Sequence, residues 1–244
     1  MKKDTTLQFR LPGIEACNTE RRIIVMKNVV IIGNGSYSQM MKKYVELTHF
    51  GKVHAYVADK NYINSTTLDG IEVISFDELT SKYPPSSFTL IMGIGYSQMA
   101  QIKKEKYLFC KKSGYTFENY IHPTAFIAED VILGEGNNIL EGVYIQMGCQ
   151  IGNANLFFVG AKIGHDSIIH DYCTISINSM LAGHTQIHDR CFLGVGSIVK
   201  DHTTLNEAVL LGAQAYAFKD IPADKVVVPA KSTILPDKIS TDYL

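Results

Sequence analysis

The sequence predicts an α/β domain followed by an all-β one, a small parallel sheet and then a parallel β-helix, and three observations carry that expectation. First, a period of six runs from Ile127 to Leu211. Ile127, Leu133, Ile139, Ile145, Ile151, Phe157, Ile163, Ile169, Ile175, Leu181, Ile187, Leu193, Val199, Leu205 and Leu211 are aliphatic at every step except Phe157. Second, a small or medium residue stands two places before each, from Ala125, Val131 and Asn137 through to Val209, and Gly often follows, as at Gly134, Gly152, Gly164, Gly194 and Gly212. No α-helix keeps a period of six on one face, and a simple strand repeats every two. Self-similarity at six marks a β-helix whose coil takes eighteen residues in three short strands. Third, upstream of this beat, apolar runs of strand length alternate with helix-compatible stretches, which argues for parallel strands joined by right-handed crossovers.

Taken in order, residues 1–25 are polar, mixed in charge and aperiodic until Ile23, without the apolar stretch of a signal peptide, and are expected to form a flexible extension. The α/β domain is expected over 26–118. It opens with a buried strand at 28–32 and the loop Gly33-Asn34-Gly35-Ser36-Tyr37-Ser38, then a helix over 39–48. A strand at 53–57 closes on Asp59 and Lys60; strands at 71–74 and 89–93, a short helix over 77–81 and a helix from about Gln98 to Ser113 complete it. Ligands of such sheets sit beyond the carboxyl ends of the strands, which makes Gly33, Asn34, Gly35, Tyr37, Asp59, Lys60, Gly93, Ile94 and Gly95 the candidate pocket. Gly33-x-Gly35 with Ser38 at the third glycine position is an incomplete dinucleotide fingerprint, so a nicotinamide site is disfavoured. The β-helix is expected over 119–235 and a tail over 236–244.

Composition narrows the function classes. With 23 basic and 24 acidic residues the net charge is −1, which is no nucleic-acid footprint. No apolar run approaches the ~20 residues of a membrane span. Of five cysteines, Cys149, Cys173 and Cys191 fall on the small position of the repeat and read as core filler in a reduced, cytoplasmic protein. No C-x-x-C pair suggests zinc.

Three pieces coincide: the compact Rossmann-like domain, the junction Tyr120-Ile121-His122-Pro123-Thr124-Ala125, and the hexapeptide β-helix closing on Val227-Val228-Pro229-Ala230-Lys231. Over 26 to about 233 the chain resembles the PglD/NeuD-like family of bacterial sugar acyltransferases. That resemblance implies a left-handed β-helix, a homotrimer, acetyl-CoA as cosubstrate in the groove between subunits, and a nucleotide-linked amino sugar on the N-terminal domain. It implies His165, in Gly164-His165-Asp166-Ser167-Ile168-Ile169, as general base with Asp166 raising its basicity; the family more often has Glu there. It carries the acetyl-CoA contacts to Thr174, Gly183, Val195 and Gly212, where Thr174 replaces a histidine. The chemistry agrees: an amine attacking a thioester must lose a proton, imidazole as a residue type exchanges protons near neutral pH, and a backbone amide can steady the oxyanion. The implied activity is N-acetylation of a nucleotide-activated amino-deoxysugar for glycan or surface-polysaccharide assembly, with O-acetylation of a sugar hydroxyl such as that of sialic acid as the alternative.

His170 and His188, and likewise His184 and His202, are eighteen apart and are expected to stack one rung, ~4.8 Å, apart as outward surface residues. A zinc enzyme of the γ-carbonic-anhydrase kind needs a third histidine upstream of His165 in register; positions 159, 153, 147, 141, 135 and 129 offer Val, Asn, Met, Glu, Glu and Glu, so no metal is expected. A non-catalytic sugar-nucleotide binder is the remaining alternative. Glu135, Glu141, Asp171 and Asp189 are expected on a solvated face, and His122 is expected to fix the turn between the domains.

Overall fold

The computed structural model describes residues 26–232 together with 239 and 241. The expected extension over 1–25 and nearly all of the expected tail over 236–244 lie outside the described residues. No helix among the described residues is long and apolar enough to cross a membrane.

The first domain runs β1 (Lys27–Ile32), α1 (Ser36–Leu47), β2 (Gly51–Ala58), β3 (Thr67–Leu68), β4 (Ile71–Ser75), α2 (Phe76–Lys82), β5 (Thr89–Met92) and α3 (Gln101–Lys112). The sheet order is β3-β4-β2-β1-β5, with β3 antiparallel at the edge and the rest parallel. Val29 to Ile32 and Leu90 to Met92 are buried on both faces, as central strands flanked by helices must be. The chain steps outward from β1 to β2 and β4, then returns to β5 on the other side. The order therefore reverses between β1 and β5, and their carboxyl ends open a crevice. Glu78 closes a capping box on Ser75 at the start of α2. The Ser75 amide, then Lys82 and the Ser75 hydroxyl, hold its carboxyl down at about 2. α3 starts later than expected: Gln98, Met99 and Ala100 have φ of 52°, 48° and 59°, a left-handed turn rather than helix.

The second domain is a three-faced parallel β-helix. Its first face stacks Phe126–Ile127, Tyr144–Ile145, Lys162–Ile163, Met180–Leu181, Ile198–Val199 and Tyr216–Ala217. The second stacks Ile132–Leu133, Gln150–Ile151, Ile168–Ile169, Gln186–Ile187 and Thr204–Leu205. The third stacks Tyr120–Ile121, Asn138–Ile139, Leu156–Phe157, Thr174–Ile175, Phe192–Leu193, Leu210–Leu211 and Val226–Val227. Residues eighteen apart pair in register, for example Ile145 with Ile163 and Ile163 with Leu181. The six-residue aliphatic column from Ile139 to Leu211 is buried inside, with Cys149, Cys173 and Cys191 beside it as free, buried thiols. Asn137 and Asn155 fill the small position as a ladder: the Asn155 amide donates to Asn137 Oδ1 (2.9 Å) and the Cys173 amide to Asn155 Oδ1 (2.7 Å).

One regularity has no uniform sequence signature, glycine marking only part of it. From Gly136 to Gln214 every sixth residue is left-handed, with φ between 51° (Ala154) and 72° (Gly148). Glycine occupies the position at 136, 142, 148, 160 and 196, and Ala, Asp, Tyr, Asn, His, Arg and Gln take the rest. Each left-handed residue turns a corner, and from Ala154 to Gln214 each is held by a rung-to-rung backbone bond, as in Asp166 N–H to Met147 O (3.0 Å) and His184 N–H to His165 O (2.9 Å). At the junction the Thr124 amide donates to His122 Nδ1 (3.2 Å) and the Ala125 amide to His122 O (2.9 Å), so His122 does shape that turn.

The α/β domain covers the third face. Its outward column Asn138, Leu156 and Thr174 is buried beneath it; Asn138 donates to Met92 O (2.6 Å), and Tyr96 packs on Phe192 with ring centroids 4.8 Å apart. Of the acidic residues expected on a solvated face, Glu135, Glu141 and Asp189 meet this contact instead, whereas Asp171 bonds within the β-helix. Glu135 accepts from Tyr107 (2.7 Å), Lys111 (2.5 Å) and the Phe117 amide (3.1 Å), and Glu141 accepts from Tyr44 (2.7 Å). Asp189 faces Lys104 at 3.9 Å, and Asp171 accepts from the Asn153 amide (2.7 Å).

Candidate active site

Two features concentrate chemistry. One is the crevice at the reversal between β1 and β5, a cleft of about 440 Å³ lined by Gly33, Asn34, Gly35, Tyr37, Asp59, Gly93, Ile94 and Gly95 among others. Glycines at its floor answer to close approach. A Cβ on Gly93 would lie 2.6 Å from Ile31 Cγ2 and 2.8 Å from Ile32 O, and Gly33, at φ +109°, would put one 2.8 Å from Ser38 Oγ. Ser38, at the third fingerprint position, is buried and donates to Gly93 O (2.9 Å), tying the two loops together. Its side chain does what a glycine there could not.

Of the pocket residues expected from sequence, Lys60 lies outside this cleft: its ammonium pairs with Asp77 at 2.8 Å in a shallow neighbouring depression. Tyr37 lines the cleft, yet its hydroxyl turns to the β-helix and accepts from Asn138 Nδ2 (2.7 Å); burial raises its pKa. Sequence reasoning missed Tyr62, Phe76, Tyr96 and Lys106. Lys106 crosses from α3 to pair with Asp59. Only the partner Asp59 was visible in the local pattern, since no short-range spacing links β2 to α3.

The second feature is the corner between the first and second faces. His165 Nδ1 lies 2.7 Å from Asp166 Oδ2. The contact with His165 holds the Asp166 carboxyl below its usual range, helped by His184. A carboxylate has no proton to give, so Nδ1 is the donor of this pair, and in the neutral form of the ring the lone pair is on Nε2. Both side chains are about half exposed. Two glycines shape the pair. A Cβ on Gly148 would fall 2.3 Å from Asp166 Oδ1, and a Cβ on Gly183 would fall 2.7 Å from His165 Nε2 and 2.8 Å from Cε1. The imidazole thus lies over bare backbone. Gly148 is a residue that sequence reasoning missed; its signal is the glycine run 142, 148, 160 at left-handed corners. His184, one rung below Asp166, meets His165 edge-on with ring centroids 5.0 Å apart, and its Nε2 is 3.9 Å from Asp166 Oδ2. His184 stacks on His202 at 4.6 Å and His170 on His188 at 4.7 Å, the expected one-rung spacing; His184 and His202 are exposed and His170 and His188 half-buried.

The expected cofactor residues are not gathered within one chain. Gly183 sits under His165. Val195, exposed, and Gly212 follow strands of the third face, at the next corner around the coil. Thr174 is 1% exposed, sealed under the α/β domain with its hydroxyl unpartnered, so its side chain does not face a groove.

No family model matches the chain. Over 61 residues it is 41% identical to the acyl-[acyl-carrier-protein]–UDP-N-acetylglucosamine O-acyltransferases of Ectopseudomonas mendocina and Pseudomonas aeruginosa, a stretch covering 22% of this chain and 24% of those proteins. The chain therefore spans about a quarter of the length of these curated relatives. Nearly the whole fold is matched by perosamine N-acetyltransferase from Caulobacter crescentus, solved with CoA and GDP-perosamine. The two are 26% identical with a TM-score of 0.74, covering 82% of this chain and 92% of that one. The acetyltransferase domain of PglB from Neisseria gonorrhoeae superposes with a TM-score of 0.74 over 84% and 100% of the two chains at 21% identity, a likeness of fold alone. The resemblance to hexapeptide-repeat sugar acyltransferases drawn from the sequence is thus met in three dimensions.

Proposed function

We propose that the protein is an acyltransferase that moves an acetyl group from acetyl-CoA to the amino group of a nucleotide-activated amino-deoxysugar, with His165 as general base, in cytoplasmic glycan or surface-polysaccharide biosynthesis. The observation that carries this reading is the His165–Asp166 pair, which takes up Nδ1 as donor and sets Nε2, the lone-pair nitrogen of the neutral ring, over the bare backbone of Gly183. Nε2 takes the proton as the amine attacks the thioester, Asp166 stabilises the imidazolium that forms, and the proton then passes to the departing thiolate. A backbone N–H of the groove steadies the tetrahedral oxyanion. The structural likeness to an N-acetyltransferase solved with CoA and GDP-perosamine supports both the cosubstrate and the class of acceptor. In this reading the domain over 26–118 holds the nucleotide through the cleft at Gly33–Gly35 and Gly93–Gly95, and that over 119–235 presents the thioester.

A homotrimer belongs to the same reading. Along the first face the outward side chains of Phe126, Tyr144, Met180, Ile198 and Tyr216 are 39–53% exposed, an apolar stripe interrupted only by Lys162. Val159, Ile177 and Val195 extend it along the adjoining corner. Such a stripe favours a covering partner. A second copy laid against it brings one chain's His165 corner towards the other's Val195 and Gly212, which a single chain keeps on separate corners. The assay is CoA release from acetyl-CoA with a panel of 4-amino and 3-amino nucleotide sugars and free sialic acid, for wild type and His165→Ala. Turnover of an amino sugar, lost by about 10²-fold or more in the variant, is expected. Activity confined to a hydroxyl acceptor moves the protein to O-acetylation, and unchanged turnover in His165→Ala removes the base.

A further inference from the structure

The corner that holds the proposed base also carries three metal-type donors that the acyl transfer does not need together. Asp166 Oδ2 stands 2.7 Å from His165 Nδ1 and 3.9 Å from His184 Nε2, and one donor atom from each of the three residues lies within 4.8 Å of the others. At 3.9 Å the His184 contact is too long for a hydrogen bond. Two ligands on one tetrahedral zinc, at bonds of ~2.0–2.1 Å, stand ~3.3 Å apart. The first pair must open by ~0.6 Å, the second close by ~0.6 Å and the remaining pair close by at most ~1.5 Å, adjustments shared among exposed side chains.

The scaffold beneath them is rigid. Asp166 and His184 occupy successive left-handed corners, at φ 56° and 58°, and the His184 amide donates to His165 O (2.9 Å). The three Cα positions are thereby fixed by the ladder. His184 is steadied from behind by its stack on His202, 4.6 Å and 11° from parallel, and presents its edge to the Asp166–His165 pair. The other stacked pair, His170 and His188, is not part of any such three-donor cluster among the described residues.

We infer that His165, Asp166 and His184 form an inhibitory binding site for a transition-metal ion of the zinc class. Two imidazoles and one carboxylate are a borderline donor set that selects Zn²⁺, Co²⁺, Ni²⁺ or Cu²⁺ over Mg²⁺ and Ca²⁺, with solvent as the fourth ligand. The consequence for the base is a matter of one proton. A neutral imidazole carries a single hydrogen, on Nδ1 while Asp166 accepts it. A metal ion on Nδ1 moves that hydrogen to Nε2, and the lone pair that would receive the substrate's proton is gone. Metal occupancy and catalysis exclude each other. The inhibition rests on the reading of His165 as base; the binding does not.

The test uses the full chain, stripped with EDTA and dialysed. Co²⁺ titration is expected to give the visible ligand-field bands of a four-coordinate site, displaced by Zn²⁺ at one ion per chain. Zinc affinity, read by competition with a chromophoric chelator, is expected to fall at least 10-fold in His184→Asn and to hold in His188→Asn. Stoichiometric zinc should stop CoA release by wild type, with full return on adding EDTA, and each variant is read against its own metal-free rate. Equal zinc affinity in wild type and His184→Asn overturns the inference, as does an equal loss in His188→Asn or full activity with zinc bound. The two readings fail separately. Metal-free wild type that never turns over, yet binds zinc through His184, removes the enzyme and keeps the site, whereas an active enzyme that binds no zinc does the reverse.

Discussion

The contact between His165 and Gly183 makes a substitution of one methyl group decisive. Gly183 lies at ordinary negative φ, so alanine costs the backbone nothing there. Its Cβ, however, would stand 2.7 Å from Nε2, 2.8 Å from Cε1 and 3.1 Å from Cδ2 of His165, against ordinary contacts of 3.4–4 Å. The imidazole must withdraw by roughly 1 Å, and a displacement of that size in a reacting group costs about 10²-fold in rate. Because the His165 side chain is 50% exposed, the ring swings into solvent at little cost to the fold. Gly183→Ala should therefore lower kcat for CoA release by about two orders of magnitude while the melting temperature stays within about 2 °C of wild type. If kcat is unchanged, either the ring is not placed by the bare backbone or it is not the base, and the reasoning is refuted; a collapse of the melting temperature would show that the corner cannot yield as claimed.

Asp166→Asn keeps an acceptor oxygen but removes the charge that stabilises the imidazolium and adds an NH2 donor; activity should drop about 10- to 100-fold, as for loss of an orienting partner. The Asp166 carboxyl is held below its ordinary range, so it stays ionised through any working pH, and the acid limb of the wild-type rate profile belongs to another group. Thr174→Val removes a buried hydroxyl that has no partner, so stability should be unchanged or slightly higher and the KM for acetyl-CoA unaffected. A raised KM would restore that side chain to the cofactor groove. Lys103, 1% exposed with no partner for its ammonium, is brought down from 10.5 to about 8 by burial. Its folded pKa is depressed, so the penalty for charging it is full below about 8 and fades as pH rises towards 10.5, worth at most about 3 kcal/mol. Lys103→Met should raise urea stability at pH 7 and abolish the rise that wild type shows between pH 8 and 10; a flat wild-type profile would contradict this.

How much of this was legible beforehand depends on the range of the interaction. The β-helix was readable because each coil repeats one environment every eighteen residues, so Ile163 and Leu181 announce the same inward site, and the histidine stacks followed from the same arithmetic. The His165–Asp166 pair was expected only through the family resemblance, and the structure brings the two adjacent side chains into contact. The left-handed corners were not readable: Asp166, Tyr172, Asn178, His184 and Arg190 share a backbone conformation and nothing else. Nor was the docking of the α/β domain. Asn138, Leu156 and Thr174 look like an indifferent outward column, and only the covering domain turns Thr174 into an interior residue. Glu135 and Glu141 look solvated for the same reason, since their partners Tyr107 and Tyr44 lie far away along the chain.

The eighteen-residue register has a consequence for how this molecule can change length. It acts as a ruler with one graduation, ~4.8 Å per coil. An insertion of eighteen residues beyond His202 adds a graduation and leaves every earlier column addressed as before. An insertion of six moves each later side chain to the next face, so that a histidine meant for one edge arrives at another. Between Gly148 and His184 even a whole added coil is fatal to the site, because Asp166 must stand directly between a glycine above and an imidazole below. Length is thus free at one end of the prism and fixed in its middle, and the fixed part is where the proposed chemistry lies.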